Sequence, residues 1–358
     1  MTRRRVTAAA RIDWPAAAQT LAAILPRDRL HASVHRWGKD ARGPWTVAFS
    51  GGADSLALLL LVWAHWPTRR RGLQALHFNH RLRGSASEAD ERFCRQVCAG
   101  LDLPLRTARW KRRERVQPSE TEARAARFAF FDQALMASRR RILWLGHHQN
   151  DVAESILMRL ARGSGLEGLV APRPIHCLAR RRTHVRPLLT LSKSAICDAL
   201  KRANIPWRED ATNASGDHLR NRLRHDVVPR WLAAEPGRDV LAGVSRSRDQ
   251  LEEDAEALEA WAGGIVVSPE RGVRLADLAA LPPAVARRVL HRWRLSLGSR
   301  WGEVSRQTFE AVLGAARSGA ATRLSLGPAG FAKVERGWLR FESAGEKAAK
   351  LRKATRAN

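Results

Sequence analysis

Residues 45–62 read WTVAFSGGADSLALLLLV. The run from Trp45 predicts a β-strand and the run from Leu56 predicts a helix, so the glycine-rich segment between them is a strand-to-helix turn. Two successive glycines let backbone N–H groups point inward at a helix N-terminus, which favours phosphate binding. The residues of this turn, which we expect to bind a nucleotide, are Ser50, Gly51, Gly52, Ala53, Asp54 and Ser55.

Asp54 is the residue of this turn that a phosphate alone does not explain. A carboxylate and a phosphate repel each other, but they are compatible when a metal ion lies between them. We therefore predict that Asp54 binds a metal ion. A plain glycine-rich turn capped by a serine is the simpler alternative. The chain contains no GxxxxGK[ST] segment, which disfavours a Walker-type phosphate loop.

Strand-like and helix-like segments alternate around this turn. The predicted strands are Thr46–Ser50, Leu73–Asn79, Leu103–Trp110, Ile142–Gly146 and a short Val185–Leu188. Such alternation predicts an α/β fold, a Rossmann-like parallel sheet with helices on both faces. Ligands in such sheets bind where the strands end, which is where Ser50 and His147 fall.

The character of the sequence changes after Pro229, where one long helical pattern (238–262) and shorter helical and strand patterns follow. We expect an N-terminal helical extension over 1–40, the α/β domain over 41–235, a smaller, mostly helical domain over 236–345, and a basic disordered tail over 346–358.

Charge is the unusual feature of the composition. The 358 residues include 63 Lys+Arg and 35 Asp+Glu, a net charge of +28. A positive charge of this size attracts polyanions, and nucleic acid is the leading candidate. A composition biased toward Ala, Arg and Trp is the alternative explanation for the excess of basic residues. The four cysteines form no CxxC pair, which favours a reducing, cytoplasmic compartment. The longest apolar run is too short to span a bilayer, so no membrane partner is expected.

A second polar cluster follows the fourth predicted strand, in the segment HHQNDVAE (147–154). On a helix, His147, Asp151 and Glu154 occupy positions i, i+4 and i+7 and share one face. One imidazole and two carboxylates suit a divalent metal or a ligand that carries an ammonium group. Surface acids in the first turns of a helix are the alternative interpretation.

Several arginines are candidates for anion contacts. Arg127 lies one helical turn after Arg124 and could stabilise charge on a transferring phosphoryl group, although a solvated arginine pair is equally compatible. The remaining candidates for contacts with nucleic acid or nucleotide are Arg162, Arg220, Arg222 and Arg224.

Seven segments within residues 45–230 resemble, in consistent order, the tRNA(Ile)-lysidine synthetase family of PP-loop ATP pyrophosphatases. They are SGGADS (50–55), HFNHRLRG (77–84), EARAARFAFF (122–131), GHHQNDVAESILMRLARGSGLEGL (146–169), RPLL (186–189), WREDATN (207–213) and RNRLRH (220–225). All PP-loop enzymes share SGGxDS, whereas the GHH…RGSGL run and the last two segments are more discriminating. Beyond residue 240 the resemblance is weaker.

The resemblance implies a PP-loop ATPase domain, a tRNA-binding domain and a ligase that forms a carbon–nitrogen bond. ATP would adenylate the C2 oxygen of the wobble cytidine in a tRNA(Ile) with a CAU anticodon, releasing pyrophosphate. The ε-amine of free L-lysine would then displace AMP and give lysidine.

The resemblance also implies roles for the candidate residues. Asp54, with Mg²⁺, and Arg127 would be catalytic, while the glycine-rich turn would bind ATP. The lysine substrate would contact His147, Asp151 and Glu154, and tRNA or nucleotide would contact Arg162, Arg220, Arg222 and Arg224.

Two other functions are compatible with the sequence. One is another PP-loop tRNA modification such as thiolation, which needs cysteines that carry sulfur; Cys94 and Cys98 lie on a predicted helix away from the strand ends, which counts against it. The other is a tRNA-binding protein with a vestigial ATP site, which an intact Asp54 and Arg127 disfavour. The oligomeric state stays open, with a homodimer as one option.

Overall fold

The structure is a computed structural model that describes residues 12–82, 84–110, 119–178, 182–209, 219–268, 270–298, 306–326 and 330–343. Contacts divide the chain into two compact units, with the limit between Leu251 and Glu252. This limit lies inside a long helix, later in the chain than the end predicted for the α/β domain at residue 235. The predicted tail over 346–358 and residues 1–11 of the predicted N-terminal extension lie outside the described residues.

The first unit contains a six-stranded sheet. Its strands are β1 (Trp45–Ala48), β2 (Leu73–Asn79), β3 (Leu105–Arg109), β4 (Ile142–Trp144), β5 (Ile175–Leu178) and β6 (Arg182–Val185). Their order is β3-β2-β1-β4-β6-β5, with every neighbouring pair parallel except β5 and β6. The predicted parallel α/β fold is therefore confirmed. The antiparallel edge strand β5 is not among the predicted strands.

The last predicted strand is displaced. The sequence predicts it at Val185–Leu188, whereas the structure ends β6 at Val185 and forms a 3₁₀ turn over Pro187–Thr190. The cause is Pro187, which has no N–H group to donate to a neighbouring strand and fixes the backbone angle of a turn.

Helices cover both faces of the sheet. The helices of the first unit are α1 (Trp14–Ile24), α2 (Ala32–Asp40), α3 (Ala53–His65), α4 (Ser85–Gly100), α5 (Glu120–Ala137), α6 (Gln149–Leu160), α7 (Leu166–Leu169), α8 (Lys193–Arg202), α9 (Leu219–Arg222) and α10 (Val228–Ala234), with α11 (Val240–Gly263) crossing the limit between the units. Successive residues of a strand point to opposite faces of the sheet, and each face has its own hydrophobic core. Val47 and Ala75 pack with α3 on one face, whereas Leu76 and Leu143 pack with Phe131 of α5 on the other. Both faces are therefore buried, as parallel sheets require.

Four tryptophans pack together on the α3 face of the sheet. Five of the six pairs among Trp37, Trp45, Trp66 and Trp144 have ring centroids 4.6–6.1 Å apart, and the closest pair is Trp45 and Trp144. Pairs of this geometry contribute about 0.5–1.5 kcal/mol beyond the burial of their area. The cluster therefore joins β1 and β4 to the segments that carry Trp37 and Trp66.

A buried carboxylate ties α4 to β2 and β3. Glu91 is 3% exposed and accepts hydrogen bonds from Asn79 Nδ2 (3.0 Å), Arg95 Nη2 (2.8 Å) and Arg109 Nε (3.0 Å). Burial alone would raise the pKa of Glu91, but these donors hold it at about 2, below the ordinary 4.5. The charge therefore stabilises the fold above the ordinary pKa, and this stabilisation is lost as the pH falls toward 2.

We expect Glu91→Gln to lower the free energy of unfolding by about 2–3 kcal/mol at neutral pH, because an amide cannot neutralise two guanidinium groups. The variant should also lose less stability than the parent as the pH is lowered from 4.5 to 2. Urea unfolding followed by circular dichroism at several pH values measures both effects. Glu88→Gln, an exposed glutamate of the same helix, is the control. Equal acid sensitivity of parent and Glu91→Gln would contradict the assignment.

The second unit combines helices with an antiparallel sheet. It contains β7 (Val273–Arg274), α12 (Leu275–Ala279), α13 (Pro283–Ser296), α14 (Arg306–Ser318), β8 (Thr322–Ser325), β9 (Gly330–Glu335) and β10 (Trp338–Ser343). The strand order is β7-β10-β9-β8, and a core that includes Val289, Trp293 and Leu339 joins the helices to the sheet. The predicted helices and final strands are thus present, and β7 is an addition. Of the helices that the structure describes, none has the length and apolar character to cross a membrane.

Candidate active site

The glycine-rich turn begins where β1 ends. Gly51 has a φ of +91°, which is strained for residues with a side chain, and a Cβ there would lie 3.2 Å from Cys94 Sγ. Two serines close the turn: Ser50 N donates to Ser55 Oγ at 3.1 Å, and the two hydroxyl oxygens are 2.9 Å apart. Helix α3 starts at once, with Gly52 as its N-cap, so the turn has the geometry of a phosphate-binding helix N-terminus.

Two neighbouring segments hold this turn. Arg208 N donates to Gly51 O at 3.0 Å, and its Nε donates to Asp90 at 2.7 Å. On the other side Gly146 passes so close to α3 that a Cβ on it would lie 3.0 Å from the carbonyl oxygen of Asp54. The glycine that opens the GHH segment thus lets the end of β4 approach the first turn of α3, which brings the two predicted motifs together.

Asp54 lies between a lysine and a histidine. Lys193 Nζ donates to both of its carboxylate oxygens, at 2.7 and 2.8 Å, and His148 Nε2 is 3.7 Å from Oδ2. The same nitrogen is 3.5 Å from Asp151 Oδ2. The side chain of Asp54 is 29% exposed, whereas that of His148 is buried. One imidazole therefore connects the phosphate turn with the second predicted motif.

Asp151 and Glu154 form a carboxylate pair on α6 that two arginines neutralise. Arg220 donates to Asp151 at 2.6 Å and to Glu154 at 2.7 Å, and Arg224 Nε donates to Glu154 at 2.7 Å. The Glu154 side chain is 1% exposed. Burial opposes ionisation of Asp151, but the adjacent histidines and Arg220 hold its pKa below its usual range. The pair is therefore a buried anionic site that requires a cation.

The structure changes the geometry expected for His147. The spacing argument places His147, Asp151 and Glu154 on one helix, but α6 begins at Gln149. The reason is a cap: Asp151 Oδ2 accepts from His148 N at 2.9 Å, which starts the helix after His148. His147 lies in the preceding turn, where its Nδ1 accepts a hydrogen bond from Arg186 Nε at 3.2 Å.

The other predicted arginines lie at exposed or half-buried positions. Arg222 and Arg162 are exposed, and the Arg127 guanidinium lies 5.9 Å from the centroid of the Phe128 ring. Their roles stay predictions. Residues 210–213 of the WREDATN segment and the basic run 111–115 lie outside the described residues.

Sequence reasoning misses three residues of this site, namely His148, Arg186 and Lys193. His148 is adjacent to His147, and Arg186 opens the RPLL segment, so the sequence carries a weak signal for both. Lys193 is the first residue of α8, behind the capping Ser192, and no spacing in the sequence connects it with Asp54.

Asp54 fits the Mg²⁺ predicted for it. A cation, the Lys193 ammonium, already contacts both carboxylate oxygens, so the position accepts positive charge. Within the described ranges no three His, Cys, Asp or Glu side chains form a metal-binding group. Mg²⁺ is commonly bound by one or two carboxylates together with substrate phosphates and water, so one aspartate beside a phosphate-binding turn suffices.

Comparison with known proteins agrees with this geometry. Residues 27–231 match the PP-loop domain family, which together with the turn after β1 defines a PP-loop ATP-binding protein. Residues 274–340 match the TilS substrate binding domain. The tRNA(Ile)-lysidine synthase of Streptomyces coelicolor is 34% identical over 272 residues, an alignment that covers 74% of this chain and 75% of the relative. The chain belongs to the tRNA(Ile)-lysidine synthase family.

Two other relatives of the same name are longer. Those of Geobacter sulfurreducens and Solibacter usitatus are 35% identical over 281 residues and 38% identical over 260 residues. The alignments cover 74% and 69% of this chain, but only 57% and 55% of the relatives. The chain therefore spans little more than half the length of these two proteins.

Proposed function

We propose that this protein is a ligase that joins free L-lysine to C2 of the wobble cytidine of a CAU-anticodon tRNA(Ile), consuming ATP and releasing AMP and pyrophosphate. The observation that carries the proposal is the placement of the phosphate turn and the carboxylate pair at one edge of the sheet, connected through His148. The reaction needs a nucleotide and an amine side by side, and these two subsites suit those two chemistries.

In the first step the turn residues 50–55 bind the phosphates of ATP through backbone N–H groups. Asp54 would hold Mg²⁺, which would neutralise charge on the phosphates. Lys193 then leaves Asp54 for a phosphate oxygen. The cytidine C2 oxygen attacks the α-phosphorus, the bond to pyrophosphate breaks, and Arg127 stabilises the charge that develops.

In the second step Asp151 and Glu154 bind the lysine substrate. Arg220 and Arg224 contact this pair in the structure, so lysine must displace at least one guanidinium, which then becomes available to a phosphate of tRNA or nucleotide. The amine loses a proton to a nearby base, attacks C2 as a neutral group, and forms the C–N bond while the C2–O bond to AMP breaks.

The second unit and the exposed arginines supply the contacts with tRNA. Arg162 and Arg222 are exposed, and the unit that includes residues 274–340 matches a substrate-binding domain. The net charge of +28 supports an RNA partner. All four cysteines are free, which supports the reducing cytoplasm as the compartment.

Thiolation is less well supported as an alternative. Cys94 and Cys98 are buried, and burial raises the pKa of Cys98 to about 12 and that of Cys94 well above its ordinary value. Both are therefore unreactive thiols, unsuited to carrying sulfur.

Incorporation of labelled lysine into tRNA by the full chain with Mg-ATP tests the proposal. We expect label in a CAU-anticodon isoleucine tRNA and none in the CAU-anticodon methionine tRNA. If AMP forms but no labelled lysine enters the tRNA, the adenylation step is supported and lysine is excluded as the nucleophile. Formation of neither product would favour a binding-only protein.

Lys193→Met should slow tRNA adenylation by roughly 10- to 100-fold, because the charge that partners Asp54, and then the nucleotide, is lost. The KM for lysine should stay nearly constant, since Lys193 contacts Asp54 rather than the carboxylate pair. Pyrophosphate release and lysine titrations measure these effects. Lys201→Met, with 67% side-chain exposure on the same helix, is the control. Equal adenylation rates in the two variants would exclude a role for Lys193.

A further inference from the structure

Arg186 is a buried cation beside the carboxylate site. It is 7% exposed and directly follows β6, while His147 follows the end of β4. Because β4 and β6 are parallel neighbours, with Trp144 opposite Val185, both residues reach the same edge of the sheet. A hydrogen bond from Arg186 N to the carbonyl of Pro174 (2.8 Å) fixes the backbone at this point. Burial of a charged guanidinium is unfavourable, so hydrogen bonds from Arg186 must offset the loss of hydration.

The contacts of this guanidinium are directional. Nε of Arg186 donates to His147 Nδ1 at 3.2 Å, and Nη1 donates to the carbonyl of Arg173 at 2.8 Å. A guanidinium has only donors, so His147 Nδ1 must be the unprotonated acceptor. The single proton of the neutral imidazole then lies on Nε2.

We infer that Arg186 is a positioning residue that fixes His147 as a neutral imidazole, which donates through Nε2–H to an oxygen atom of the substrate. The inference rests on the proposed function, because the lysine carboxylate, the cytidine C2 oxygen and a phosphate supply such an oxygen. A donor cannot bind the lysine ammonium or accept its proton. The proton therefore goes to a group other than His147, and His147 binds an anionic or carbonyl part of the substrate.

Four charged groups face the ring of His147: Asp151 on α6, Arg124 on α5, Arg220 on α9 and Arg186 after β6. The three cations oppose a second proton on the ring, whereas Asp151 favours one. Burial is the largest effect, and the net result is a pKa of about 3 for His147. Burial and neighbouring arginines also lower the pKa of Arg186, to about 10, which leaves it protonated near neutral pH.

Imidazole ¹⁵N NMR of the full chain tests the tautomer directly. Comparison with His147→Gln identifies the signals of His147 among those of the 12 histidines. We expect Nδ1 to be unprotonated and Nε2 protonated from about pH 5 to about pH 8. A protonated Nδ1 in the parent protein would overturn the inference, and this measurement requires no arginine variant to fold.

Two variants then separate positioning from general structure. Arg186→Met removes every donor, so we expect a mixture of tautomers and a higher pKa for His147, whereas Arg186→Lys retains a donor and should keep most of the parent pattern. Arg202→Met, exposed on α8, is the control. An unchanged tautomer in a folded Arg186→Met would show that Arg186 does not fix the ring.

Kinetics of the same variants identify the oxygen. In Arg186→Met the KM for lysine should rise about tenfold if the oxygen belongs to lysine. Slower adenylation at constant lysine KM would assign it to cytidine or phosphate. Either result should carry a new pH dependence between about pH 5 and about pH 7, which the control lacks. Kinetics identical to the parent at every pH would overturn the inference, whereas the expected NMR pattern in a parent that ligates no lysine would count against the proposed function alone.

Discussion

Asp54→Asn should reduce ATP-dependent adenylation of tRNA by at least about 10³-fold, or about 4 kcal/mol of transition-state stabilisation. The amide retains the shape of the carboxylate but loses the charge that would hold Mg²⁺ at the phosphates. Affinity for tRNA should change little, because Asp54 contacts Lys193 and His148 within the nucleotide subsite. Pyrophosphate release and tRNA filter binding measure the two quantities.

The fold should tolerate this change. Lys193 loses its partner, but its side chain is 42% exposed and can remain hydrated. Loss of an acidic group in the first turn of α3 costs only about 0.5 kcal/mol through the helix dipole. Asp198→Asn is the matched control, since this aspartate lies on α8 with 67% side-chain exposure. AMP production by Asp54→Asn at the rate of Asp198→Asn would refute the assigned role.

Glu154→Gln should raise the KM for lysine roughly 30- to 100-fold, equivalent to about 2–3 kcal/mol. The substitution removes half of the negative charge of the carboxylate pair and turns an amide N–H₂ toward guanidinium donors. Adenylation in the absence of lysine should stay nearly constant, because the phosphate turn is unchanged. Lysine titrations of ligation, compared with pyrophosphate release, separate the two effects.

The same variant should be less stable by about 2–4 kcal/mol, since Arg220 and Arg224 would share a single carboxylate in a largely buried place. Chemical unfolding measures this loss, and lysine kinetics should be recorded below the transition. Glu167→Gln is the control because this glutamate is 59% exposed and pairs with Arg173 at the surface. A lysine KM equal to that of the control would remove Glu154 from the substrate site.

The parallel sheet could be predicted because its central strands are short apolar runs separated by helical patterns. In β1 and β2 nearly every residue is buried, which gives a strong signal. The sequence of β5 carries no such apolar signal, because His176 and Cys177 are exposed and Ile175 is only half-buried. This exposure is expected for an edge strand. Its pairing with β6 is a tertiary contact that local pattern does not encode.

Some residues of the site are close together in the sequence, whereas their partners are distant in the sequence. Asp151 and Glu154 are three residues apart on a helix, and the spacing alone places them together. Their cations are not local, since Arg220 and Arg224 lie 66–70 residues away along the chain. Lys193 is 139 residues from Asp54, and Arg186 is 39 residues from His147. Sequence spacing identifies the residue types of the site, whereas the folding of the sheet determines which of them pair.

The tryptophan cluster on the α3 face gives the first unit its own optical signature. The chain has 13 tryptophans and no tyrosine, so its near-ultraviolet absorption comes almost wholly from indole rings. Rings whose centroids are 4.6–6.1 Å apart couple their electronic transitions, and this coupling ends when the strands that carry them separate. The part of the near-ultraviolet circular dichroism that comes from these coupled rings should therefore report the packing of the nucleotide-binding unit without any label. Trp293 and Trp338 of the second unit contribute to the remainder of the spectrum.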